Sequence, residues 1–121
     1  MAGERDLARL LAALDPQLDR ERYSFSTTVD PALGDGDFAI VREREGLTLI
    51  RPDPTGEWAR ISLGIHSSLD AVGLTAAFAS RLAEAGISAN VVAALYHDHI
   101  FVQWERREEA LAALRETPDP A

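Results

Sequence analysis

The sequence of 121 residues is 46% hydrophobic and 26% charged, a composition typical of one ordinary globular domain. Its net charge of −8 argues against a nucleic-acid or anionic-membrane partner, because both need a basic protein face. Without cysteine, the chain has no disulfide, thiolate metal site or cysteine nucleophile. The charged N-terminal segment does not resemble a signal peptide, and with the lack of cysteine it predicts a soluble, cytoplasmic protein. The use of arginine in place of lysine is typical of a bacterial sequence.

The first half of the chain has the pattern of one helix followed by three strands. Leucines at helical spacing predict a helix that ends at Asp15-Pro16, since the residue before proline avoids helical angles. An alternating aromatic and β-branched run predicts a strand over residues 23–29. Residues 38–43 and 47–51 are two further predicted strands, joined as a hairpin.

A proline- and glycine-rich break separates the two halves of the chain. It has the sequence PDPTG at residues 52–56, the strongest turn signal present. We therefore predict an N-terminal companion half, residues 1–54, and a second half, residues 55–121, packed together as one compact unit.

The second half begins with a strand and a helix. Apolar residues alternate over residues 59–65, which predicts a strand with one buried face. Serine and aspartate at Ser67 and Asp70 resemble a capping box, and Gly86 suits the left-handed position that ends a helix. Between these signals, apolar residues recur in steps of three and four along one helix face: Ala71, Leu74, Phe78, Leu82 and Ala85.

Two more strands and a helix follow, over residues 87–95, 100–104 and 105–116. The order β-α-β-β-α is a split β-α-β unit without its last strand. We expect either the N-terminal half or a partner chain to supply that strand. The sheet face away from the helices also needs a cover, because it carries Val92, Ala94 and Phe101.

The sequence ISLGIHSSLDAVGLTAAFASRLAEAGISANVVAALYHDHIFV, residues 61–102, resembles the ACT-domain superfamily. It is most similar to small bacterial proteins in which an ACT-like half follows a shorter companion half. The resemblance implies an α+β, ferredoxin-like fold, in which the N-terminal α-β-β-β half completes or covers the sheet of the β-α-β-β-α unit. It also implies side-by-side pairing of domains, and hence a homodimer.

By the same resemblance, the ligand is an amino acid or a related metabolite, bound between the first strand-to-helix loop and a neighbouring strand. That loop corresponds to residues 66–74, in which Gly73 matches the family's loop glycine and allows a close approach to the backbone. Asn90 belongs to the opposite wall. The candidate ligand-binding residues are therefore His66, Ser67, Ser68, Leu69, Asp70, Val72, Gly73, Leu74 and Asn90.

The residue types in this loop suit an amino acid. A helix N-terminus offers free amides and a partial positive charge to a carboxylate. Ser67 and Ser68 add hydroxyls, and Asp70 offers a charge to an ammonium group. The alternative is that Ser67 and Asp70 only cap the helix and that Gly73 allows close packing, because most helices need a cap.

The cluster His97-Asp98-His99 is the other candidate for chemistry. Two histidines at this spacing on one strand share a face and suit a transition metal. These two straddle the predicted hairpin turn without a third ligand of known position, so we expect no metal and no cofactor. Ser67 and Ser68 lack the G-x-S-x-G context of a nucleophile, and we expect no catalytic residue and no enzyme.

These observations favour a regulatory or sensor module that binds a small molecule, namely an amino acid. The alternative is a ligand-free domain for protein–protein interaction or dimerisation, built on the same interface.

Overall fold

The computed structural model describes residues 7–66 and 72–116, which form one six-stranded sheet with helices on one face. The elements in chain order are α1 (Leu7–Ala12), β1 (Pro16–Thr28), β2 (Ala39–Arg42), β3 (Leu47–Pro52), β4 (Trp58–Leu63), α2 (Leu74–Glu84), β5 (Asn90–Ala93), β6 (Asp98–Gln103), a short 3₁₀ helix (Trp104–Arg106) and α3 (Arg107–Leu114).

The strand order across the sheet is β2-β3-β1-β4-β6-β5, and every neighbouring pair is antiparallel. The second half contributes β4, β6 and β5 in the order first-third-second that a ferredoxin-like unit requires. Strand β1 lies beside β4, in the place of the missing fourth strand. The ferredoxin-like fold is thus confirmed, and the N-terminal half completes the sheet.

Strand β1 is much longer than the sequence predicts, because it serves two neighbours. Its first part pairs with β4, from Pro16 opposite Leu63 to Leu18 opposite Ile61. The later part pairs with β3 through the end of the strand at Thr28. The pairing with β4 continues at Arg22 and Tyr23, opposite Ala59 and Trp58, after a register shift that follows Leu18.

The sheet has an approximate internal symmetry about the β1/β4 pair. The sets β4-β1-β3-β2 and β1-β4-β6-β5 both have the order fourth-first-third-second, so two ferredoxin-like arrangements share the central strands. In the second set α2 connects the first two strands. In the first set the corresponding connection, residues 29–38, contains no helix among its described residues. Strands from before residue 54 and from after residue 55 belong to the same sheet. The domain boundary between these two residues therefore stays a prediction.

The main core lies between the helices and the β4–β6 part of the sheet. Of the described residues, fifteen buried ones contribute to it, among them Ile61, Phe78 and Ile100, each fully buried. The end of α2 is fixed as the sequence predicts. Gly86 has a φ of 73°, and the amides of Gly86 and Ile87 donate to the carbonyls of Ala83 and Leu82 at 2.9 Å each.

The opposite face of the sheet is covered by aromatic side chains of the N-terminal half. Phe101 is fully buried, and the ring centroids of Phe25, Phe38 and Tyr23 lie 5.2, 5.4 and 5.6 Å from its own. Most of the cover predicted for this face therefore comes from the same chain. No helix within the described ranges is long and apolar enough to cross a membrane.

Candidate functional site

The connection from β4 to α2 begins close to the N-terminal segment. The amide of Gly64 donates to Asp15 O at 2.8 Å, and that of Ile65 donates to Leu14 O at 3.3 Å. A Cβ on Gly64 would lie 2.2 Å from Asp15 Oδ2, so the absence of a side chain permits this contact. The end of β4 is thereby fixed, and the chain enters the connection at His66.

The candidate residues Ser67, Ser68, Leu69 and Asp70 lie outside the described residues, as does Ala71. The predicted start of this helix at Ser67 is wrong, because the described helix begins at Leu74 with Gly73 as its N-cap. The contacts of the predicted capping pair and of Ala71 stay untested. His66 is exposed, and Val72 is 85% exposed. Leu74 is only 3% exposed because its side chain packs in the core, so only its backbone remains for a ligand.

Gly73 is the N-cap residue of α2. It has a left-handed backbone, with φ 89° and ψ −11°, and it provides no side-chain hydrogen bond to the helix. The first backbone bond of the helix runs from the amide of Ala77 to Gly73 O, at 2.9 Å. The three amides before it, those of Leu74, Thr75 and Ala76, have no carbonyl to accept them within the helix. This end of α2 therefore presents donors and the positive end of the helix dipole.

The tip of the β5–β6 hairpin lies beside the loop, a feature that the sequence analysis missed. The ring centroids of His66 and Tyr96 are 6.4 Å apart, and His97 Nδ1 is 3.4 Å from Ile65 O. Tyr96 is 69% exposed and Leu95 is 61% exposed. The signal was available in the topology: because β6 pairs with β4 in antiparallel fashion, the turn before β6 must lie beside the end of β4.

Asn90 lies elsewhere in the same chain. It is exposed on the edge strand β5 and pairs with Phe101, which in turn pairs with Arg60. Leu63 is three residues further along β4, so Asn90 lies about 10 Å along the sheet from the start of the loop. A shared role for Asn90 and the loop would require a second copy, and it stays a prediction.

The histidines of the His97-Asp98-His99 cluster are used in separate contacts. His99 Nδ1 is 2.8 Å from Ser62 Oγ, and the His99 ring packs edge-on against Phe38 at 4.9 Å. Burial, and then the charges of Arg60 and His97, lower the pKa of His99 below its usual value. Burial raises the pKa of Asp98. Within residues 7–66 and 72–116, no group of three metal-binding side chains converges.

A polar cluster borders the aromatic cover of the far face. The Arg60 guanidinium lies 5.1 Å from the ring centroid of Tyr23 and 4.9 Å from that of Phe38, and it pairs with Asp19 at 3.4 Å. The Tyr23 hydroxyl donates a hydrogen bond to Asp19. Burial, followed by this hydrogen bond to a carboxylate, raises the pKa of Tyr23 above its usual range. The cluster ties β1 to β4 across the centre of the sheet.

The chain resembles proteins of known structure along most of its length. A protein of unknown function from Vibrio cholerae, VC0802, described as a possible transport protein, is 46% identical, with a TM-score of 0.77 over 92% of this chain and 95% of that one. The ligand-free regulatory subunit of aspartate kinase from Thermus thermophilus shares 11% identity, with a TM-score of 0.63 over 89% of this chain and 99% of that one. At that identity, the similarity concerns the fold alone. No protein with a curated description matches the chain.

Two family models, both described as ACT domain, match the sequence. One matches residues 55–116 and the other residues 2–63. Their ranges overlap at β4, one of the two central strands that both ferredoxin-like arrangements of the sheet share. ACT domains are generally small-molecule regulatory modules. With half of its length matched by each model, this chain belongs to the ACT-domain family.

Proposed function

We propose that this protein is a regulatory or sensor module that binds an amino acid or a related small metabolite at the loop between β4 and α2. The observation that carries the proposal is the start of α2 at Gly73, an N-cap residue without a side chain to accept an amide hydrogen bond. Val72 beside it is exposed, and the exposed Tyr96 lies against His66 at the start of the loop. Free amides of a helix N-terminus bind carboxylates well, since hydrogen bonds and dipole act together. The aromatic ring and the aliphatic residue beside them offer apolar contact to a side chain.

A side chain at residue 73 would be disfavoured by the backbone conformation of Gly73 rather than by a lack of space. A Cβ there would lie 3.5 Å from Leu7 Cδ2, an ordinary contact. Its φ of 89° is nevertheless costly for any residue with a side chain, by about 1–2 kcal/mol. Replacing Gly73 by alanine should therefore move the backbone at the start of α2, and with it the amides that hold the ligand.

The same helix offers a matched control. Gly86 at its other end has a φ of 73°, and a Cβ there would meet no atom within 4 Å. Gly73→Ala and Gly86→Ala should therefore cost similar amounts of stability. Only the first changes the proposed site, so loss of binding and general loss of stability are separable.

The test is a thermal-denaturation screen against the standard amino acids, for the wild-type chain and both variants. At 100 times its dissociation constant, a ligand adds about 2.7 kcal/mol to the free energy of unfolding. For a domain of this size that raises the melting temperature by about 10 °C. We expect the shift in the wild type and in Gly86→Ala, and a strongly reduced shift in Gly73→Ala. Absence of a shift with every amino acid, or an equal shift in all three proteins, refutes the proposal.

The second candidate function is a ligand-free dimerisation domain. The observation in its favour is that β5, a strand of four residues with exposed Asn90 and Ala93, pairs on one edge only with the part of the chain that the structure describes. Unpaired strand edges are natural surfaces for pairing with another chain. Analytical ultracentrifugation with and without amino acids separates the two candidates, because a dimer whose stability no amino acid alters supports the second. The homodimer, the cytoplasmic location and the absence of catalysis stay predictions.

A further inference from the structure

A second candidate site lies at the opposite end of β4. A groove of about 240 Å³ is lined by Arg22, Glu57, Gln103, Trp104 and Glu105. It opens at the start of β4, whereas the loop of the proposed function follows its end. A strand of six residues spans about 20 Å, so the two sites are separate, and the inference below does not rest on the proposed function.

The frame of the groove is tied together by backbone contacts. The amide of Asp53 donates to Arg22 O and that of Trp104 donates to Glu57 O, both at 2.8 Å. A Cβ on Gly56 would lie 2.2 Å from a carbonyl oxygen of β1, so this glycine lets the β3–β4 connection pack directly on that strand. Three separate segments therefore hold the charged side chains of the groove in place.

Within the described ranges, none of the three charged side chains that line the groove forms an ion pair. The Arg22 guanidinium carbon lies 4.8 Å from the centroid of the Trp104 ring, and its Nε is buried without a hydrogen-bond partner. Within residues 7–66 and 72–116, neither Glu57 nor Glu105 forms an ion pair with Arg22. The Trp104 ring offsets part of the cost of desolvating this half-buried cation, but it supplies no anion. A ligand with a carboxylate would supply that anion.

We propose that this groove binds a small zwitterion, with Arg22 holding its carboxylate and Glu57 or Glu105 holding its ammonium group. A simple anion would meet the two glutamates, and a simple cation would meet Arg22, so a ligand with both charges fits best. At about 30 Å³ for each water, the groove has room for about eight water molecules, which corresponds to a small amino acid or a similar molecule.

Trp104 also provides the assay. In a Trp58→Phe background, Trp104 is the one remaining tryptophan of the sequence, and its fluorescence reports on the groove. We would titrate the standard amino acids, their α-amides, which lack the carboxylate, and their N-acetyl derivatives, which lack the ammonium group. We expect a saturable change with at least one amino acid, and binding roughly 10- to 100-fold weaker for both of its blocked derivatives.

Variants distinguish this site from the loop. Arg22→Gln should weaken binding, as should at least one of Glu57→Gln and Glu105→Gln, while Arg20→Gln, an exposed neighbour on the same strand, should leave it unchanged. Gly73→Ala should also leave it unchanged. The proposal is overturned if no amino acid changes the fluorescence or if Arg22→Gln binds as tightly as Arg20→Gln. Binding that Gly73→Ala removes and Arg22→Gln retains would assign the ligand to the loop and would equally overturn it.

Discussion

Substitution of Phe38 by alanine should weaken the link between the two halves of the chain. The Phe38 ring packs edge-on against Phe101 at 5.4 Å and His99 at 4.9 Å, and the Arg60 guanidinium lies 4.9 Å from its centroid. Loss of a fully buried phenylalanine costs about 3–5 kcal/mol. Because Phe38 is only half-buried, we expect a loss of about 2 kcal/mol in the free energy of unfolding.

The assay is urea denaturation followed by circular dichroism, with Val29→Ala as the control. Val29 is 99% exposed, so its truncation should change the free energy of unfolding by about 0.5 kcal/mol at most. The midpoint of Phe38→Ala should fall well below that of the control. If the two variants unfold at the same urea concentration, Phe38 does not cover the far face and the account of the two interlocked halves is wrong.

Two further predictions concern His99 and Gly56. Since burial and the charge of Arg60 lower the pKa of His99 in the folded state, the unfolded chain binds the proton more readily. The free energy of unfolding should therefore show no loss from this group above about pH 6.5 and should fall as the pH drops below that value. Urea midpoints measured from pH 7.5 downward should decrease in the wild type and decrease less in His99→Gln. An equal decrease of the midpoint with pH in both proteins would contradict the assignment. Gly56→Ala should cost about 3 kcal/mol, because the new Cβ would lie 2.2 Å from the backbone oxygen of Tyr23, which cannot move aside as a side chain does. A melting temperature within a degree or two of the wild type would refute that expectation.

Much of the second half could be predicted from its sequence because its signals are local. The stripe of Phe78 and Leu82 and the glycine at Gly86 define α2 and its end, and the left-handed φ of 73° agrees. Alternation of apolar residues gives β4 with the correct buried face, whereas Ile100, Phe101 and Val102 of β6 are all buried because both faces of the sheet are covered there. These patterns depend on residues a few positions apart, which is the range over which periodicity is informative.

The first part of β1 could not be predicted in the same way. The sequence of residues 17–22 is QLDRER, which is too polar for a central strand. The strand exists because Asp19 pairs with Arg60 of β4 and accepts a hydrogen bond from Tyr23, and because Arg22 lies over the ring of Trp104. Those partners are distant in sequence, so only the folded arrangement makes the polar strand stable.

The candidate site was predicted in part. The resemblance gave Gly73 as the loop glycine of the ligand site, and the structure has it as the left-handed N-cap of α2. Tyr96 and Leu95 were missed, because their position beside the loop follows from the pairing of β6 with β4 and from no motif. The roles of the candidate residues stay predictions.

The most direct test of ligand binding at the β4–α2 loop is an amide-resolved NMR titration with any amino acid that stabilises the protein. The account predicts that the largest shifts fall on the amides of residues 73–76, which include the donors at the start of α2. The aromatic signals of Tyr96 should move with them. Shifts confined to other parts of the chain, with these amides unchanged at saturation, would contradict it.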